Sequence, residues 1–91
     1  MDNEQLISRI QGGDNEAENM LQLWKQNKGF IATIARRYSA GAEMEDLEQE
    51  GYIALCEAVQ HYDPERGMSF IGYAAFWIKR RMRICAANSR T

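Results

Sequence analysis

From Asp46 to Arg83 the chain reads DLEQEGYIALCEAVQHYDPERGMSFIGYAAFWIKRRMR, and two helical periodicities split by one loop decide the fold. Asp63-Pro64-Glu65-Arg66-Gly67 is the break, because proline donates no amide, disfavours helix in the residue before it, and is followed by a turn-forming glycine. Before the break, Leu47, Gly51, Ala54, Leu55, Ala58 and Tyr62 recur at helical steps and predict a helix from Glu43 to Tyr62 with one core stripe. Gly51 on that stripe lets a neighbouring helix come close, at a propensity cost of about 1 kcal/mol. After the break, Ser69 is set to cap a helix that runs to Asn88. Phe70, Ala74, Trp77, Ile78 and Cys85 share its core side.

Outward from this stretch the same logic holds. Asn3 to Gln11 carries Leu6, Ile7 and Ile10 on one side and stops at Gly12-Gly13. Asp14 is the expected N-cap of a second helix reaching Tyr38, with Met20, Leu21, Trp24, Ile31, Ile34, Ala35 and Tyr38 at helical spacing. Gly29 weakens it locally, and Ser39 to Ala42 makes the next turn. Nothing alternates with period two. The expected fold is all-α: one domain over residues 1–91, a compact bundle of about four helices spanning 1–12, 14–38, 43–62 and 69–88.

Composition fits that size. Ninety-one residues remove roughly 60–68% of their unfolded surface on folding, enough for one modest core. Hydrophobic residues at 45% and charged residues at 26% exclude wholesale disorder. No apolar run approaches the roughly 18 residues of a membrane span, and the polar, acidic N-terminus is no signal peptide. Cys56 and Cys85 stand apart, with no CxxC, which argues for a reducing cytoplasm rather than a disulfide or zinc scaffold.

The net charge of −2 conceals two blocks. Six acids (Glu43, Glu45, Asp46, Glu48, Glu50 and Glu57) lie between Glu43 and Glu57 with no base among them. After Arg66 there is no acid, but five bases: Lys79, Arg80, Arg81, Arg83 and Arg90. Two solvated helix faces explain such runs, and so do separate partners for each block.

On the third helix Asp46, Gln49, Glu50, Ile53 and Glu57 stand opposite the core stripe. The macrodipole accounts for acids near the helix start but not for Glu50 or Glu57 further in. An apolar Ile53 ringed by charge has the look of a protein-docking patch. On the fourth helix Gly72, Tyr73, Phe76, Lys79, Arg80 and Arg83 share the side away from the core. Tyr73 and Phe76 are either further core or a stacking face for unpaired bases, with Arg80 and Arg83 beside them for phosphates. His61 is read as a helix-end residue. No metal-ligand spacing, glycine-rich phosphate loop or nucleophilic triad appears, so neither an enzyme nor a cofactor nor a metal is expected.

The Asp46–Arg83 string resembles region two of sigma-70 family transcription initiation factors, through its DLEQEG, AV, DPERG and YAAFWIK elements. The segment LISRIQGGDNEAENMLQLWKQNKGFIATIARRY is similar to the first helices of the same domain, so the resemblance covers almost the whole chain. It implies a non-catalytic helical module. Its third helix would dock on the clamp coiled coil of the largest subunit of core RNA polymerase through Asp46, Gln49, Glu50, Tyr52 and Cys56. Tyr52 stands where primary factors carry asparagine.

The resemblance further implies that the loop and fourth helix recognise and melt the Pribnow-box promoter element, capturing a flipped base of the single non-template strand. The implied positions are Arg66, Met68, Tyr73, Phe76, Trp77, Arg80 and Arg83. Met68 replaces an aromatic of the primary factors, and Gly72 and Arg80 replace polar recognition residues, which implies weaker melting or another promoter preference. An anti-sigma factor is a further expected partner class. The family also uses a C-terminal helix-turn-helix domain, so the chain is expected to be a fragment of a longer factor. Two alternatives stay open: a polymerase-binding regulator or decoy without melting, and a helical regulator of duplex DNA, which a surplus of aromatics serves poorly.

Overall fold

Asp2 starts the first helix by a capping box, its carboxylate accepting from Gln5 N–H while the Gln5 side chain accepts from Asp2 N–H. The computed structural model describes residues 1–88. Four α-helices follow one another: α1 (Asn3–Gln11), α2 (Glu16–Arg36), α3 (Met44–His61) and α4 (Phe70–Asn88), with a 3₁₀ turn at Pro64–Arg66. Among the described residues there is no strand. No helix there is long and apolar enough to cross a membrane. Arg90 lies outside the described residues.

The second helix starts later than its sequence predicts. Asn15, not Asp14, precedes it, at a positive φ of 47° that asparagine tolerates, and its side chain makes no cap bond. Asp14 instead forms an ion pair with Arg9 at 3.6 Å, and its carbonyl accepts from Asn19 Nδ2 at 2.8 Å. The α3–α4 loop behaves as its composition demands. Asp63 Oδ1 accepts from Glu65 N–H at 3.0 Å, and Gly67 takes a φ of 79°. Ser69 Oγ accepts from Gly72 N–H at 3.3 Å, which caps α4.

The core runs through all four helices, with Leu6, Ile7, Leu23, Ile31, Leu47, Leu55, Phe70, Ile78 and Met82 fully enclosed. Each such side chain contributes about 1.5–3 kcal/mol relative to exposure. Leu23 and Met82 escape the stripes drawn from the sequence. Leu21, placed on the α2 stripe, is 52% exposed because it lies about a third of a turn from the centre of the buried arc, beside Lys25 and Lys28. Trp77 and Cys85 are half-buried margins of the core rather than its interior. Gly51 matters because a Cβ there would overlap Ile31 Cγ2 of α2 and press on Met82 Cε at 3.1 Å. Among the described residues, the buried polar side chains Asn19 and Asn27 are satisfied: Asn27 Nδ2 donates to Asn3 Oδ1 and to Leu23 O, both at 2.8 Å, and Asn19 is bonded as above.

Candidate functional site

The acidic and basic helices meet. Arg81, projecting from α4, donates from Nη1 to Glu50 Oε1 at 2.7 Å and from Nε to Glu57 Oε1. These bonds, to Glu57 first and Glu50 second, hold the guanidinium more firmly protonated than usual. Glu50 and Glu57, which the helix dipole does not account for, thus have a partner within the fold. Their place is the α3–α4 margin, and all three side chains are half-buried.

What remains of the acidic side is an open depression between α2 and α3. Trp24, Glu45, Glu48, Gln49, Tyr52 and Ile53 line it. Trp24 meets Tyr52 edge-on, ring centroids 5.3 Å apart, and Tyr52 and Ile53 are each 40% exposed. Asp46 is exposed at the start of α3. Cys56, half-buried one turn beyond Tyr52, has its thiol pushed up by burial against an opposing hydrogen bond from Tyr52. Tyr52 is raised in turn, chiefly by the Cys56 charge. Trp24 is the member of this patch that the charge pattern does not reveal.

On α4, Phe76 is 67% exposed, and Lys79, Arg80 and Arg83 are exposed on the same side. Arg83 also shares a small notch with Arg37 from the end of α2, a basic residue the sequence pattern did not single out. Tyr73 departs from expectation. It was placed with Phe76 opposite Trp77, but its ring lies 6.3 Å from Trp77 and 5.8 Å from Tyr62, half-buried against the core. At 100° per residue, Tyr73 and Trp77 are only 40° apart around the helix, which is why they touch.

Tyr73 closes one side of a concavity of about 620 Å³ whose other walls are His61, Tyr62, Asp63, Arg66 and Met68. Tyr62 is fixed there by donating its hydroxyl to Met68 O at 2.7 Å and by meeting Phe70 edge-on at 5.3 Å. Burial, and then the charges of Glu4 and Asp63, raise the Tyr62 phenol and keep it protonated for that bond. His61, at the last position of α3, lies flat against Trp77 with centroids 5.1 Å apart and planes 3° from parallel. One face of Trp77 is thus covered within the protein. Among the described residues no group of three His, Cys, Asp or Glu side chains could hold a metal ion.

Residues 23–84 match the family model described as Sigma-70 region 2. The chain is 39% identical over 83 residues to the RNA polymerase sigma-C factor of Myxococcus xanthus, covering 90% of this chain and 28% of that protein. It is 37% identical over 92 residues to the RNA polymerase sigma factor SigA of Bacillus sp, covering 99% of this chain and 24% of the relative. It is 36% identical over 88 residues to the RNA polymerase sigma factor RpoS of Coxiella burnetii, covering 94% and 24% respectively. The chain spans about a quarter of the length of these curated relatives.

Proposed function

Since the chain belongs to the sigma-70 region 2 family, we propose that it binds core RNA polymerase and reads the opened non-template strand of the Pribnow box. One observation carries the DNA half of this reading: Phe76 stands 67% exposed among Lys79, Arg80 and Arg83. A core role does not account for a ring so open, whereas base stacking beside phosphate-holding cations does. The concavity between Tyr62, Arg66, Met68 and Tyr73 would take the extruded base, its aromatic walls offsetting the few kcal/mol that flipping costs. Trp77, covered on one face by His61, would offer its other side at the upstream edge of the bubble.

For polymerase, the docking side comprises Asp46, Gln49, Tyr52, Ile53 and Cys56, with Trp24 added and Glu50 held at its margin by Arg81. A basic helix is its complement, as the clamp coiled coil of the largest subunit would provide. A second reading, a polymerase-binding regulator without melting, draws on Met68, an exposed flexible side chain where primary factors carry a ring.

The test is fluorescence anisotropy of labelled single-stranded non-template oligonucleotides of varied sequence, with the chain and core polymerase together. Sequence-dependent binding that needs both proteins is expected. Polymerase binding with no preference among oligonucleotides favours the regulator, and no polymerase binding overturns both.

A further inference from the structure

Helix α1 grips the α3–α4 loop at both ends. Near its start, Glu4 Oε2 accepts from Phe70 N–H at 2.9 Å, the first amide of α4. At its end, the Gln11 amide donates to Val59 O and Tyr62 O, each at 2.9 Å, where α3 runs out. Glu4 and Gln11 are seven residues apart and so lie on one face of α1, about 10 Å apart along its axis. Ile7, buried to 2% exposure, seats that face between them.

These bonds satisfy groups that helices leave orphaned: a first-turn N–H of α4 and terminal carbonyls of α3. A carboxylate at the start of α4 is also favoured by the helix dipole. The loop's remaining bonds are internal, from Glu65 and Arg66 N–H to Asp63 and from Tyr62 to Met68. They shape the loop, and Tyr62 packed on Phe70 and Tyr73 holds the two helix ends together through their rings. Helix α1, bonded to both ends, adds a polar tie to that packing.

We infer that α1 is a strap, and that Glu4 and Gln11 are positioning residues that set the mouth of the Tyr62–Arg66–Met68–Tyr73 concavity. The inference rests on the DNA reading proposed above for what the concavity receives, but the strap itself is a property of the fold. Both residues lie N-terminal to residues 23–84, which match the family model. Both are exposed, and their loss removes little apolar burial. The predicted effect is therefore on the loop rather than on the whole fold.

The experiment compares the parent with Glu4→Ala/Gln11→Ala and with Glu4→Gln/Gln11→Ala, in which the first position keeps an acceptor for Phe70 N–H. Limited trypsin digestion of the chain alone reports the loop through cleavage at Arg66, normalised to cleavage at Arg36. The double alanine variant should be cut at Arg66 at least 3-fold faster, and the glutamine variant should recover part of that protection. With core polymerase present, the double alanine variant should bind the preferred oligonucleotide at least 3-fold more weakly while polymerase affinity stays within 2-fold. Unchanged normalised cleavage at Arg66 overturns the strap. Loss of DNA and polymerase binding in equal proportion, tracking folded fraction by circular dichroism, shows mere stabilisation and overturns the positioning role. If the parent binds no oligonucleotide, the DNA reading fails, and cleavage at Arg66 still decides the strap.

Discussion

Arg81 of α4 and Glu50 of α3 are joined at 2.7 Å, so the basic helix holds one of the acids that would otherwise present itself to a partner. With Glu57 on the same guanidinium, this is a three-residue network at half-buried positions. Removing the cation leaves two carboxylates facing each other. Arg81→Ala should lower stability by about 1 kcal/mol, a figure already reduced for solvent screening. Urea denaturation at low and high salt checks this: the loss should shrink in 1 M salt, and adding Glu57→Gln should recover part of it.

The same pairing separates two substitutions on the docking side. Asp46→Arg, at an exposed position in the first turn of α3, should weaken binding to the clamp coiled coil by about 1–3 kcal/mol and lower the melting temperature only slightly, through the lost helix-dipole interaction. Glu50→Arg should weaken it too, but with a larger fall in melting temperature, because it sets two arginines side by side. Titration calorimetry alongside thermal unfolding distinguishes them. Unchanged affinity for both removes α3 as the docking helix.

On α4 the two aromatic rings should part company. Phe76→Ala should leave stability intact and lose about 1–3 kcal/mol of binding to the opened strand, with its salt dependence unchanged. Tyr73→Ala should instead destabilise the domain, because its ring packs on Tyr62 and Trp77. Arg83→Ala should bring a sequence-blind loss and a salt slope shallower by roughly one unit. Oligonucleotide titrations at several salt concentrations, with core polymerase present, measure all three.

Tyr62 predicts an alkaline limit. Its phenol is raised above the ordinary 10.0, so above that pH the folded chain keeps a proton that the unfolded chain has lost. Its contribution is whole below pH 10 and declines as pH climbs toward the raised value. Tyr62→Phe should lose about 0.5–1.5 kcal/mol at pH 8 with the Met68 bond, yet fall less steeply as the pH rises above 10. Urea midpoints across that range give the difference between the two proteins, which isolates Tyr62 from other titrating groups.

The helices and most of the core were legible because strong breakers bound them: Gly12-Gly13, the Ser39–Ala42 turn and the Pro64 loop. Gly51 was legible too, as a residue without a side chain on a core stripe. Contacts between helices were not. Charge order along the chain separated the acids from the bases, and only the packing of α3 on α4 brings Arg81 to Glu50 and Glu57. Tyr73 was misplaced because it sits at the edge of the buried arc, where a helical wheel drawn for one helix cannot tell which neighbour reaches it. The Glu4 and Gln11 bonds join residues 66 and 48 or 51 positions apart, beyond what any periodicity carries.

Gly51 also bears on how the chain assembles. Helices adjacent in sequence are the most extensively packed pairs, α1 with α2 and α3 with α4. Such hairpins close over short loops and form early. Seating one hairpin on the other then requires the Gly51–Ile31 contact, which leaves no room for even one added methyl. During synthesis α1 and α2 emerge first, and at ~5–20 residues per second their Ile31 waits a second or more for α3 to cover it. In that interval the growing chain shows the ribosome exit and its attendant chaperones an oily surface that the finished molecule never displays.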